Sequence, residues 1–240
     1  MALDALFFGA HPDDVELTSG GFAALLASQG YAVGIADLTR GERASRGTVE
    51  ERAREAAAAA KALGVAKRVS LGLPDCGLVR TDPAQLAAVV ALLRAERPRL
   101  VVAPDREDEH PDHVEGSDLI ARACYLAGLA RYDAPGERWR PERVLFALYR
   151  GDRRAQVVVD VTATWERRAA ALAAHASQLD PARGPATYLT QPGFLAEIEA
   201  RARSWGALIG ARYGEGYRAR GPLAVADARA LLGAPAEVAK

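Results

Sequence analysis

The chain has 240 residues, half of them apolar, enough to bury one sizeable core, and its 31 lysines and arginines are balanced by 31 aspartates and glutamates. That balance excludes the broad basic field that recruits nucleic acid or an anionic membrane and favours a small-molecule partner. Two cysteines, Cys76 and Cys124, are too few for a disulfide framework and point to free thiols in a reducing cytoplasm.

The opening MALDALFF carries Asp4 and no basic leader, unlike a secretory signal, and no apolar run approaches the ~18 residues of a membrane span. Short apolar runs at 5–10, 31–38, 68–73 and 99–104 each precede a helical stretch, at 20–30, 49–64, 83–98 and 113–130. These runs lack apolar/polar alternation, as strands covered on both faces do. Strand and helix alternating through short loops imply right-handed βαβ units. The predicted fold is therefore α/β, a Rossmann-like three-layer sandwich with a mainly parallel central sheet, in a single domain over 1–240 with its core at about 3–220. Thr48 with Glu51 forms a capping-box pattern, Gly64 ends that helix, and Asp82 caps the one that begins at Pro83. Beyond residue 135 the pattern changes: 144–150 and 156–161 read as two further strands. A helix runs from Trp165 to about Leu179, another covers 193–214, and an alanine-rich tail from 221 carries no site-like cluster.

Three of the four histidines fall in two acidic motifs, AHPDDVE at 10–16 and EHPDHVE at 109–115. Open parallel sheets bind ligands beyond the carboxyl ends of their strands, at the switch point of the strand order. The first motif follows the first strand and the second lies just after the fourth, so the two can converge. Catalytic zinc takes three protein ligands and keeps one position for water. His11 and Asp14, three apart at the start of a turn, with His113, make such a set. Asp13 is left beside it as general base for a water whose pKa the metal lowers towards ~7. His110, as an imidazolium held by Asp112, would stabilise an oxyanion and protonate a leaving amine. The donor types leave the physiological metal open, because iron or another divalent ion suits the same ligands. His175 has no acidic neighbour in sequence and reads as structural. A nucleotide-binding module is disfavoured: the first turn, GAHPDDVELTSGG, has no GxGxxG and puts Asp13, Asp14 and Glu16 where a phosphate needs amides.

The AHPDDVEL and HPDH motifs resemble those of the PIG-L/LmbE-like zinc-dependent N-deacetylases, and the similarity runs over nearly the whole chain. DLTRGERASRGTVEERAREA, LGLPDCGL, WRPERV, SQ and YGEGY are similar to segments of the bacillithiol-biosynthesis deacetylases within that family. Those enzymes hydrolyse N-acetylglucosaminyl malate to glucosaminyl malate and acetate. The resemblance implies one Zn2+ on His11, Asp14 and His113, Asp13 as base, and His110 assisting the tetrahedral intermediate. It also implies sugar contacts from Arg52 and Asp75, and a homo-oligomer, a trimer or hexamer. Some relatives have a tyrosine two residues before HPDH that helps polarise the carbonyl; Asp108 stands there in this chain. Malate's two carboxylates suit the planar fork of arginine. Arg40, Arg43 and Arg46 of TRGERASRGT are candidates, with Arg46 favoured, and Arg140 is a further one. Tyr213 and Glu215 are candidate pocket residues, and Cys76 reads as a small buried residue. Another GlcNAc or thiol conjugate is the alternative substrate, and an inactive sugar-binding relative the alternative of a different class.

Overall fold

Two strands buried along their whole length, β1 (Ala5–Gly9) and β2 (Val33–Thr39), lie at the heart of the sheet. The computed structural model describes residues 2–150 and 154–223. Within them β3 (Lys67–Leu73), β4 (Leu100–Pro104), β5 (Arg143–Ala147), β6 (Val157–Asp160) and β7 (Gly214–Ala219) complete a sheet ordered β3-β2-β1-β4-β5-β7-β6. The first five strands of that order run parallel, and β7 lies antiparallel between β5 and β6.

Alternate residues of β1 feed two cores. Leu6 and Phe8 pack with α4 (Pro83–Glu96) and α5 (Pro111–Leu126) through Val89, Leu93, Leu119 and Ile120. Ala5 and Phe7 face the other way, towards α2 (Gly20–Ser28), α3 (Val49–Leu63) and α6 (Trp165–Ala174) through Ala24, Leu63 and Ala171. This two-sided covering explains why the strands show continuous apolar runs.

The capping signals act as read. Thr48 accepts a hydrogen bond from the Glu51 amide, Asp82 accepts from that of Gln85, and Gly64 takes the left-handed conformation (φ 72°) that ends α3. Two helices differ from expectation. The stretch expected from Trp165 to Leu179 breaks at His175 (φ −83°, ψ 50°), and the short α7 (Ala176–Leu179) follows. The helix expected over 193–214 stops at Leu208 as α8 (Phe194–Leu208), and the chain returns as β7. Gly216 makes this strand possible: a Cβ there would come within 2.7 Å of the Trp205 ring of α8.

Candidate functional site

The switch point of the sheet lies between β1 and β4, because the chain leaves β1 towards β2 and leaves β4 towards β5. Both histidine motifs sit there. A Cβ at Gly9 would meet the His11 carbonyl oxygen at 2.8 Å, so the turn after β1 needs glycine to bring His11 and Asp14 back over the strand end. The turn leads into α1 (Asp14–Thr18) through Asp13, whose φ of 146° is an unusual conformation for a residue with a side chain. The Asp13 carboxylate makes no helix cap, which leaves it for the cleft. After β4, His110 caps the N-terminus of α5, with its Nδ1 accepting from the Asp112 amide at 3.2 Å.

Asp14 lies between two imidazoles: Oδ2 is 3.5 Å from His11 Nδ1 and Oδ1 is 3.2 Å from His113 Nε2. Nitrogens of His11, His110 and His113 also fall within 4.8 Å of one another. His11 Nε2 faces away, 3.2 Å from Asp75 and 3.4 Å from Asp112. This second His/Asp/Asp group is occupied with its own loop, because Asp112 accepts from the Cys76 and Leu78 amides and Asp75 from the Arg43 amide. We therefore read Asp75 and Asp112 as holding His11 from behind. His113 is held in the same manner, its Nδ1 3.0 Å from Asp108. Imidazole nitrogens converging on one carboxylate, each backed by a second carboxylate, form the donor set of a divalent-metal site, and the residues fit such an ion.

The electrostatics follow from that packing. Burial works to lower both histidines, yet Asp112, Asp14 and Asp75 push His11 up to about 12, and Asp14 and Asp108 push His113 to about 10. Burial opposes ionisation of Asp14, but His113 and His11 hold it well below the usual carboxylate range. Asp13 moves the other way: burial raises it, and Arg52, 3.4 Å distant, only partly compensates. His110 is lowered by burial and by the neighbouring His113 and His11. With Nδ1 accepting from the Asp112 amide, the neutral ring carries its proton on Nε2.

These groups line a cleft of about 580 Å³ that also receives Arg43, Arg46, Arg52, Asp75, Tyr149 and Tyr188. Several expectations need correction. Asp112 does not hold His110 as an imidazolium: its carboxylate faces His11 and the 76–78 loop, only its amide meets His110, and burial with the two neighbouring histidines disfavours the charged ring expected to protonate the leaving amine. Arg46 lines the cleft, but its guanidinium donates to the main-chain oxygens of Ser177, Pro185 and Asp180, so it braces the loop. Arg140 lies outside the cleft, over the Tyr125 ring, with a bond to the Tyr125 carbonyl. Tyr213 is buried away from it, stacked on Trp165 with centroids 4.2 Å apart. Glu215 accepts from the Gly21 and Phe22 amides at the start of α2 instead of lining the pocket. Cys76 is exposed at the cleft, at φ 56°.

Arg52 reaches the cleft with its two terminal nitrogens bonded to the Pro12 and Gly41 carbonyls, and its buried Nε has no partner among the described residues. Sequence reading missed Asp108 as the support of His113, and Tyr149 and Tyr188 as cleft walls. Asp108 was visible as an acid two residues before HPDH, and Tyr149 as a polar residue just beyond the carboxyl end of the strand next to β4.

The chain is similar to known proteins over most of its length. The family model described as PIG-L: GlcNAc-PI de-N-acetylase matches residues 6–124. A relative from Mycobacterium sp. (strain KMS), 1D-myo-inositol 2-acetamido-2-deoxy-alpha-D-glucopyranoside deacetylase, is 30% identical over 74% of each chain. The protein of the same name from Rhodococcus opacus (strain B4) is 27% identical over 85% of this chain and 97% of its own. Among solved structures, the conserved protein TT1542 from Thermus thermophilus is 37% identical, superimposes with a TM-score of 0.85, and is matched over 93% of this chain and 97% of its own. At 30% identity over 74% of the Mycobacterium relative, and with the family model lying across the first histidine motif and the second, the chain belongs to the PIG-L family of de-N-acetylases.

Proposed function

We propose that this N-deacetylase uses a zinc ion on His11, Asp14 and His113 to remove acetyl from a small N-acetylglucosaminyl conjugate, with N-acetylglucosaminyl malate as the substrate. The observation that carries the reading is Asp14 between two buttressed imidazoles with the buried Asp13 carboxylate beside it. A divalent ion there supplies Lewis-acid chemistry, polarising the acyl oxygen and lowering the pKa of water.

The chain's own groups do the rest. Asp13, raised by burial, is the base that takes a proton as water adds to the acyl carbon. His110, neutral with hydrogen on Nε2, donates to the oxygen on which charge develops. As the C–N bond breaks, the proton stored on Asp13 passes to the amine nitrogen, so the group that removed it also returns it. Arg52 clamps the Pro12–Asp13 turn from the cleft wall, and this bracing is how we assign it, with the sugar contact left to its Nε.

Malate recognition is supported by the cleft's arginines. Arg46 and Arg52 are engaged with carbonyls, whereas the exposed Arg43 has its amide fixed to Asp75 and no side-chain partner among the described residues. A guanidinium so placed suits a carboxylate. The inositol glycoside named for the relatives is the second reading. Activity should vanish on chelation and return with zinc. In that assay the malate conjugate should be preferred over the inositol conjugate and over free GlcNAc. A preference for inositol would move the substrate to the second reading, and chelator-resistant activity would remove the metal.

A further inference from the structure

We infer that Tyr149 is a further catalytic residue whose phenolic hydroxyl donates to the acyl oxygen as the carbonyl becomes tetrahedral. The inference rests on the deacetylase reading above.

Tyr149 stands two residues beyond Ala147, the last residue of β5, and β5 is the parallel neighbour of β4. It therefore leaves the sheet at the same edge as the two histidine motifs. Its side chain lines the cleft, with its ring centroid 6.4 Å from that of His113. The ring is fixed from behind by an apolar cluster of Leu17, Leu172, Phe194 and Ile198. The Arg201 guanidinium lies 4.8 Å from its centroid and also donates to its main-chain oxygen. A ring held by the cluster and by the guanidinium is a rigid mount for a hydroxyl.

That hydroxyl has no hydrogen-bond partner among the described residues. The other phenol of the cleft, Tyr188, donates to Glu197 at 3.2 Å. The wall near His113 is otherwise rich in acceptors: Asp14 and Asp108 carry no proton to give, and Asp108 is engaged with His113 and the His110 amide. His110 is one donor for a developing oxyanion, and Tyr149 is the second. In the step itself, water oxygen bonds to the acyl carbon, and the carbonyl π pair moves onto the acyl oxygen. Tyr149 lends a hydrogen bond without transferring its proton. On collapse the pair returns, the C–N bond breaks, and the phenol is unchanged.

Tyr149→Phe keeps the ring and removes only the hydroxyl. The expected result is a fall in kcat of about 100-fold, with KM, metal content and melting temperature unchanged. Affinity for a methylphosphonamide analogue of the acetamide should fall by the same factor, because that analogue presents the tetrahedral oxygen. A merely structural tyrosine would tolerate phenylalanine in both measurements. Wild-type activity with a Y149F kcat within twofold of it overturns the inference and leaves the functional reading standing. A metal-loaded wild type that deacetylates no GlcNAc conjugate overturns both.

Discussion

Asp13 combines two unusual properties, a backbone at φ 146° and a buried carboxylate next to a second acid, Asp14. Backbone strain of this kind costs on the order of 1–3 kcal/mol and persists only where the surroundings enforce it. Here the Arg52 bond to the Pro12 carbonyl and the ion pair to Asp13 do so. Asp13→Asn keeps the shape and removes the base. It should lower kcat by roughly 10²–10⁴-fold with zinc content unchanged by metal analysis, and near-normal turnover would remove Asp13 from the mechanism. That His11, Asp14, His110 and His113 come together was legible because each lies in a local motif at a strand end. Their second partners were not, since His11 Nε2 is met by Asp75 and Asp112 from two other segments of chain. Arg140 and Tyr213 sit in segments similar to those of relatives, but similarity does not say which way a side chain faces. Arg140 turned to Tyr125 and Tyr213 to Trp165.

At the scale of elements, the starts of α3 and α4 and the stop of α3 were legible because Thr48, Asp82 and Gly64 act on their own neighbours. Strand β7 was not, because GEGYRA is glycine-rich and charged, and its strand conformation comes from pairing with β5 and β6 and from close approach to α8. Its Glu215 has a long-range task. The carboxylate, wholly buried, accepts from the Gly21 and Phe22 amides and from the Tyr217 hydroxyl, and pairs with Arg168 at 3.3 Å. It thus fills the orphan donors at the start of α2 with charge of the favourable sign. Glu215→Gln breaks a buried pair and should cost about 3 kcal/mol. In a chain of this size that lowers the melting temperature by roughly 6–12 °C, which calorimetry would detect. A change below about 2 °C would mean that the helix start is held by other groups.

At the scale of the molecule, a buried charge network joins the two halves of one core layer. Arg68 binds Glu16 at 2.5 Å and Asp37 at 2.8 Å, and His175 approaches Glu16 at 3.5 Å with no acidic neighbour in sequence to announce it. Burial would raise the Glu16 carboxyl, but Arg68 and His175 lower it from 4.5 to about 2. A depressed acid contributes stability above its unfolded value and loses it as pH falls through the folded one. The contribution of Glu16 is therefore complete above pH 4.5 and fades towards pH 2. A shift of that size corresponds to roughly 3 kcal/mol. Asp37, raised by burial against the pull of Arg68, acts with the opposite sign and offsets part of it. Denaturant titrations of wild type and Glu16→Gln should converge as pH is lowered across that window, and a constant gap would contradict the assignment. The parallel half of the sheet and its switch point were legible from strand–helix alternation, whereas the antiparallel edge depends on a strand that only its neighbours define. Because β6, among the described residues, pairs with the sheet through β7 alone, the last of the described strands in sequence is the one that joins the edge to the rest. In the order of translation 53 residues separate Asp160 from Gly214, so β6 is made well before its partner, and this edge of the sheet can be completed only once residues 214–219 have followed the parallel strands.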